Sequence, residues 1–202
     1  LTIDPRKIEA VITKRTRAII PVHFAGHPCD MTPIQELADK HKLVIIEDAA
    51  HALESEYKGQ KIGNMGNATA FSFYANKNIT TGEGGMLVTN DDALADTMRI
   101  MRLQGISRDA WKRFGKSGFA HWEQTLAGHK CNMTDLNASL GLHQIKKIER
   151  FMIRRKKYVS MYDNAFADVP ELETLAVRDY ATSAHHIYVI ALQLERFTVD
   201  RD

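Results

Sequence analysis

The side chains best suited to chemistry are an aspartate and a lysine, each at the end of an apolar run typical of a strand. Asp48 closes the segment 43–48, and Lys77 follows an apolar run that starts at Phe71. Pyridoxal phosphate needs these two groups, because an amine holds its aldehyde as a Schiff base and a carboxylate keeps its ring nitrogen protonated. A helix-capping aspartate and a solvated loop lysine fit the same spacing, so the spacing alone leaves both interpretations open.

Two more side chains strengthen the cofactor interpretation. Ser72 precedes Lys77 by five residues and could donate its hydroxyl to a phosphate, while His51 follows Asp48 by three and could reach the ring oxygen. Lys77 is also followed by the small residues of 80–85, which let a backbone approach a bulky ligand closely. We therefore expect four side chains to converge on one ligand.

The first fifty residues alternate between helix and strand with short links. A helix is predicted at about 5–13, a strand at 18–24, a second helix opened by a capping box with Thr32 and Pro33, and a strand at 43–47. This alternation is typical of parallel βαβ units, whose ligands bind at the carboxyl ends of the strands. Asp48 stands at such an end.

The rest of the chain continues an α/β pattern. The predicted features are strands at 68–74 and 84–89 around the loop of Lys77, a helix from Asp91 to the stop signal at Gly105, an irregular stretch at 106–128 that is a candidate mobile or partner-facing loop, a long helix at 134–158, and a strand at 187–194. We interpret 1–145 as part of a large domain, and 146–202 as a linking helix and the beginning of a small C-terminal domain.

Composition excludes several classes of protein. The 202 residues are 44% hydrophobic, enough for a soluble globular core, and the formal net charge of +2 favours neither nucleic acid nor an anionic membrane. No apolar run reaches the roughly 18 residues of a membrane helix. The two cysteines, Cys29 and Cys131, lack paired spacing, which indicates a reducing cytoplasm. Because the chain starts without methionine and ends without a closing element, we expect an internal fragment of a longer protein.

Four motifs occur in an order that resembles the DegT/DnrJ/StrS family of sugar aminotransferases. They are Asp48-Ala-Ala-His51-Ala, Phe71-Ser-Phe-Tyr-Ala-Asn-Lys77-Asn, Gly82-Glu-Gly-Gly85 with Val88-Thr-Asn90, and Gly128-His-Lys130-Cys-Asn-Met-Thr-Asp135. The resemblance implies pyridoxal phosphate fold type I: a three-layer, aspartate-aminotransferase-like large domain with a mostly parallel sheet, and the start of a small α+β domain. It also implies transfer of an amino group, usually from glutamate, to a keto carbon of a nucleotide-linked sugar for surface polysaccharide or antibiotic sugar synthesis.

The resemblance assigns a role to five residues. It implies that Lys77 is the Schiff-base lysine and proton carrier, that Asp48 pairs with the pyridinium nitrogen, that His51 lies beside the ring, and that Ser72 binds the phosphate. It further implies that Lys130 reaches the phosphate of a neighbouring subunit, so that a homodimer shares its active sites. Lysine rather than histidine at position 77 favours amino transfer over dehydration.

One departure from the family pattern and two alternative functions remain open. Aromatic residues that the family often has are missing at His129 and Cys131, which bears on substrate or interface contacts. A non-catalytic homologue could keep the fold as a ligand sensor or assembly protein. A basic helix end could bind nucleic acid instead; its members are Lys146, Lys147, Arg150, Arg154, Arg155, Lys156 and Lys157. Adjacent histidines on a strand point to opposite faces, so we expect no metal at His185 and His186.

Overall fold

A four-stranded sheet lies at the centre of the computed structural model, which describes residues 1–106 and 123–197. Strands β1 (Ala18–Ile19), β2 (Val44–Asp48), β5 (Ala68–Ser72) and β6 (Gly85–Val88) are neighbours in that order. The pairs β1/β2 and β2/β5 are parallel, and β6 returns antiparallel to β5. The carboxyl ends of β2 and β5 therefore lie at one edge of the sheet.

Helices cover one face of this sheet. Helix α1 (Pro5–Ile8), continued by a 3₁₀ turn at Glu9–Val11, and helix α2 (Met31–His41) pack near β1 and β2. Alternation along β2 places Ile45 in the core while Val44 stays exposed, as expected for a strand whose successive side chains point to opposite faces. The core side chains are Ile8, Ile19, Cys29, Met31, Ile34, Ala38, Ile45, Ala49, Ala52, Tyr57 and Ile62.

Two small sheets and three helices complete the described chain. They are the sheet of β3 (Glu56–Tyr57), β4 (Gln60–Lys61) and β8 (Ala181–Thr182), the pair of β7 (Leu172–Thr174) and β9 (Ile190–Leu192), and helices α3 (Asp92–Met101), α4 (Asp135–Ile145) and α5 (Ile148–Phe166). Strand β8 pairs antiparallel with β3, so residues late in the chain bind directly to the early part.

Four predicted elements differ from those observed. The strand expected at 18–24 is regular only over Ala18–Ile19, because Pro21 has no N–H to donate to a ladder, although Val22 still pairs with Asp48. The helix expected to start from a capping box begins at Met31, and the Thr32 hydroxyl instead accepts hydrogen bonds from Tyr57 and Lys58.

The long helix expected at 134–158 is two helices, α4 and α5. They are separated at Lys146 and Lys147, where Lys147 has φ −107° and ψ 0°. The apolar spacing from Ile145 to Ile148 continues across this break, so the helical pattern does not reveal it. The predicted strand at 187–194 is confined to β9.

The predicted α/β class with a mostly parallel sheet is confirmed. Most of the irregular stretch predicted at 106–128 lies outside the described residues. Among the residues that are described, no helix is both long enough and apolar enough to cross a bilayer. Both cysteines are unpaired thiols; Cys29 is buried, and burial raises its pKa to about 12, while Cys131 is exposed.

Candidate functional site

Asp48 is held at the edge of the sheet by backbone pairing on both sides. Its N–H donates to Pro21 O at 3.0 Å, it pairs in parallel with Ala70 of β5, and its Oδ1 accepts the N–H of Ala50 at 3.0 Å. Among the described residues, Oδ2 has no donor. This half-buried carboxylate is therefore fixed in place with one oxygen available to a ligand.

A buried hydrogen bond between two side chains lies next to Asp48. His23 and Glu47 are both fully buried, and their Nε2 and Oε2 atoms are 2.9 Å apart. Cys29 N–H donates to His23 Nδ1 at 3.0 Å, so the imidazole carries its proton on Nε2 and donates it to Glu47. Asn67 donates to the other oxygen of Glu47, and His23 N–H donates to Asp48 O. These bonds satisfy the buried polar groups and hold the end of β2 rigid.

His51 is fixed as a neutral hydrogen-bond donor. Its Nδ1 accepts the N–H of Ala25 at 3.2 Å, which leaves the proton of the neutral ring on Nε2. Desolvation lowers the pKa of His51; the positive charge of Lys77 lowers it further, and the negative charge of Asp48 opposes both. The charges of Lys77 and Asp48 therefore act on the same imidazole.

Ser72 is the last residue of the neighbouring strand β5, and Lys77 lies in the turn that follows this strand. Lys77 N–H donates to Tyr74 O at 3.0 Å in the turn that follows the strand, and the side chain is half-buried. Within the described residues, its Nζ makes no hydrogen bond or ion pair. Ser72 Oγ accepts the N–H of Tyr74 at 3.4 Å, so its own hydroxyl proton is free to be donated. Lys77 thus presents an uncommitted amine.

Lys130 does not join the other four predicted residues. It is exposed, and its backbone pairs with Leu103 in an isolated antiparallel bridge. Its predicted role, contact with the phosphate of a neighbouring subunit, stays a prediction.

Three residues that the sequence interpretation did not assign lie beside the site. The ring of His186 is 4.5 Å from that of His51, and its Nδ1 is 2.7 Å from Asn78 Oδ1. Asn78 Nδ2 donates to Glu54. Asn78 is the direct neighbour of Lys77 and was visible in the motif, whereas no local pattern marks Glu54 or His186 as neighbours of the site.

The glycine-rich stretch after Lys77 packs against the protein itself. A Cβ on Gly85 would lie 2.7 Å from Phe71 O, and one on Gly84 would lie 2.8 Å from Met133 Cε. Gly84 and Gly85 therefore have a packing role, and the expectation that this stretch admits a ligand stays a prediction. Asn137 of α4 donates to Glu83 O at 2.9 Å, which fastens this stretch to a helix.

The basic helix end is partly committed to internal contacts. Arg155 is 19% exposed and forms an ion pair with Glu54, while Arg154, Lys156 and Lys157 are exposed on α5. A nucleic-acid-binding surface on α5 would therefore lack the positive charge of Arg155, because Glu54 already neutralises it. A cavity of about 1630 Å³ in the described part of the chain is lined by none of the five predicted site residues, so chemistry rather than volume identifies the site.

Lys77, Asp48, His51 and Ser72, the residues carried by the first two motifs, are thus found at one edge of the sheet. The sequence profile of the DegT/DnrJ/EryC1/StrS aminotransferase family matches residues 1–202. The chain belongs to this family.

Relatives of this DegT/DnrJ/EryC1/StrS chain include proteins of polysaccharide and pseudoaminic acid biosynthesis. The spore coat polysaccharide biosynthesis protein SpsC of Bacillus subtilis strain 168 is 47% identical over 201 residues, which cover 100% of this chain and 52% of SpsC. Helicobacter pylori PseC, an aminotransferase involved in the biosynthesis of pseudoaminic acid, superposes with a TM-score of 0.87 at 35% identity, covering 96% of this chain and 50% of PseC.

A third neighbour is described with its cofactor. The putative sugar aminotransferase Spr1654 from Streptococcus pneumoniae, in its PLP-form, has a TM-score of 0.84 at 32% identity and covers 95% of this chain and 52% of that one. The chain spans about half the length of the curated relatives that it matches. These similarities confirm the predicted family and the predicted fold class.

Proposed function

We propose that the whole protein is a pyridoxal phosphate dependent aminotransferase. It transfers an amino group from glutamate to a keto carbon of a nucleotide-linked sugar. One observation carries this proposal: Asp48, a fixed carboxylate, ends β2, and Lys77, whose amine makes no hydrogen bond among the described residues, follows the neighbouring parallel strand β5. The names of SpsC and PseC support polysaccharide and sugar biosynthesis as its setting.

The donor set fits the cofactor. Lys77 offers a free amine, Asp48 a free carboxylate oxygen, His51 an Nε2–H donor, and Ser72 a hydroxyl proton. When bound, pyridoxal phosphate supplies an aldehyde that joins to an amine and a ring that withdraws electrons from the substrate carbon. Each of these four groups matches one polar feature of such a ligand.

The residues divide the chemistry among them. Asp48 would hold a proton at the ring nitrogen, because a nearby negative charge favours the cationic form. His51, neutral and fixed by Ala25 N–H, would donate Nε2–H to the ring oxygen without adding a second positive charge beside Lys77. The Lys77 amine would hold the cofactor and then carry the proton between carbon atoms as acid and base. Ser72 would orient the phosphate.

The assembly and setting belong to the same proposal. Lys130 is exposed and free to reach a neighbouring subunit, which supports a homodimer with shared active sites. The unpaired thiols of Cys29 and Cys131 support a reducing, cytoplasmic setting.

The test replaces the Lys77 amine in two ways, one that preserves its positive charge and one that removes it. Lys77→Arg keeps a positive charge beside His51, yet a guanidinium does not condense with the cofactor aldehyde, and Lys77→Ala removes both. We expect borohydride to fix the cofactor covalently in the wild-type protein and in neither variant, with peptide mass spectrometry locating the label. Lys58→Ala is the matched control, because it removes a loop lysine that contacts Thr32 instead.

The results separate the candidates. Label on Lys77 in wild type and Lys58→Ala, together with loss of amino transfer in both Lys77 variants, supports the enzyme. A label on another lysine contradicts the role of Lys77. Wild-type protein that binds the cofactor but transfers no amino group would favour the non-catalytic homologue.

A further inference from the structure

A buried ion pair joins two distant parts of the chain beside the Lys77 loop. Glu54 follows β2 and is 6% exposed, and its Oε1 pairs with the guanidinium of Arg155 on α5. Arg155 Nε also donates to Ala184 O at 2.9 Å. A buried carboxylate is costly unless it is paired and fully hydrogen-bonded, so this contact fixes the position of Glu54.

The second oxygen of Glu54 holds the residue next to Lys77. Glu54 Oε2 accepts from Asn78 Nδ2 at 2.5 Å, a charge-assisted hydrogen bond. Because a carboxylate only accepts, the amide nitrogen of Asn78 must face Glu54, and its Oδ1 is left for His186, which then donates from Nδ1 at 2.7 Å. Every donor in this chain of bonds is determined by its neighbour.

This arrangement connects the predicted cofactor lysine to α5. Asn78 is held from one side by Glu54 and from the other by His186, whose ring lies against His51. The loop of Lys77 is also held by the bonds from Lys77 N–H to Tyr74 O and from Thr81 N–H to Phe73 O, and by the buried side chain of Ile79. The Asn78 side chain adds a bridge from this loop to Glu54 and, through Glu54, to α5.

We propose that Glu54, clamped by Arg155, is a positioning residue for the Lys77 amine and acts through the side chain of Asn78. The proposal rests on the function proposed above for Lys77. Preorganisation of the reacting group is its physical basis, since small displacements of a catalytic group cost large factors in rate.

The first test measures the loop without any cofactor. Glu54→Gln presents an amide group to two donors, Arg155 and Asn78, and can accept fully from only one. We expect amide hydrogen exchange at 77–81 in the cofactor-free protein to rise about tenfold, with exchange at 44–48 unchanged. Glu56→Gln is the matched control, because its carboxylate pairs with Lys61 at 2.8 Å on the neighbouring hairpin. Unchanged exchange at 77–81 in Glu54→Gln overturns the proposal.

A second variant decides the outcome if Glu54→Gln fails to fold. Asn78→Ala leaves the pair of Glu54 and Arg155 intact and removes only the bridge, so it should raise exchange at 77–81 by itself. The double variant should show no more than the larger single effect, because both changes break one path. Additive effects, or no effect of Asn78→Ala, contradict action through Asn78.

Kinetics separate this proposal from the function on which it rests. In Glu54→Gln we expect kcat to fall about tenfold while KM for the amino donor stays within about twofold, since the amine rather than the donor site is displaced. If wild-type Lys77 traps no cofactor while exchange still rises, the proposed function fails and the structural link stands. If Lys77 traps cofactor and exchange, kcat and KM are all unchanged in Glu54→Gln, only the positioning role fails.

Discussion

At the scale of single residues, two histidine rings of the candidate site stay uncharged. The rings of His51 and His186 lie 4.5 Å apart beside Lys77, and protonation of either imidazole would add a positive charge to this cluster. Desolvation is the main cause that lowers the pKa of His186 to about 4, with His51, Lys77 and Arg155 adding to it. Both rings are therefore neutral near neutral pH, each with one N–H to donate.

The shifted pKa of His186 predicts a pH dependence of stability. The pKa of His186 in the folded protein, about 4, lies below the ordinary histidine value of 6.5, so between these values the unfolded chain binds more protons and unfolding is favoured as pH falls. The contribution of His186 is complete above pH 6.5 and is lost between about 6.5 and 4. We expect His186→Gln to weaken the decline of the unfolding free energy in this window, measured by urea titration at several pH values. An identical slope in both proteins would contradict the shift.

The position of four candidate site residues at one edge of the sheet could be predicted from the sequence, because each lies near the end of a recognisable apolar strand, while their roles stay predictions. Asp48 and Ser72 end β2 and β5, and His51 and Lys77 follow within a few residues. Glu54 and Arg155 could not be predicted, since 101 positions separate them and a buried carboxylate looks like any surface glutamate in a sequence. Their contact depends on where α5 crosses the structure.

At the scale of elements, prediction followed local signals and failed where those signals were absent. The Asp91 cap begins α3 as expected, with Asp91 Oδ1 accepting Leu94 N–H at 3.0 Å, whereas the helix ends at Met101, before the predicted stop at Gly105. Strands β3 and β4 were not predicted from the sequence, because each has only two residues. Their turn nevertheless places Lys58 and Gly59 at φ 50° and 79°, as a tight hairpin turn requires.

The capping contact gives a prediction for α3. Asp91→Ala removes the acceptor for Leu94 N–H at the helix start and should lower the free energy of unfolding by about 1 kcal/mol. Asp91→Asn keeps an acceptor of similar geometry and should cost much less. Chemical denaturation of the three proteins measures the difference, and equal losses in both variants would show that charge rather than capping matters.

At the scale of the whole molecule, the late segment is tied to the early one by close backbone contact. Ala184 N–H donates to Gly26 O, and His186 N–H donates to Ala25 O, both at 3.0 Å. This contact brings His186 to the site, and nothing in the local sequence indicates it. The α/β class was predictable from alternation, while the proposed boundary between 145 and 146 remains a prediction.

Gly26 makes this association possible. It has φ +92°, and a Cβ there would lie 2.9 Å from His185 N and 3.0 Å from His51 O. Gly26→Ala should therefore destabilise the fold by more than about 2 kcal/mol, because strain and steric overlap add. Gly59→Ala is the matched control: its φ is +79°, but nothing lies within 4 Å, so only the conformational cost of about 1 kcal/mol applies. Equal losses in thermal or urea unfolding would contradict the close contact.

The pair formed by Glu54 and Arg155 also has a meaning for synthesis on the ribosome. Arg155 is made 101 residues after Glu54, which at about 5–20 residues per second is a delay of about 5–20 seconds. During that interval Arg155 is not yet available to the newly made carboxylate. The Lys77 loop is therefore synthesised before the helix that fastens it, so the contacts around this end of the sheet can be completed only after α5 has been made.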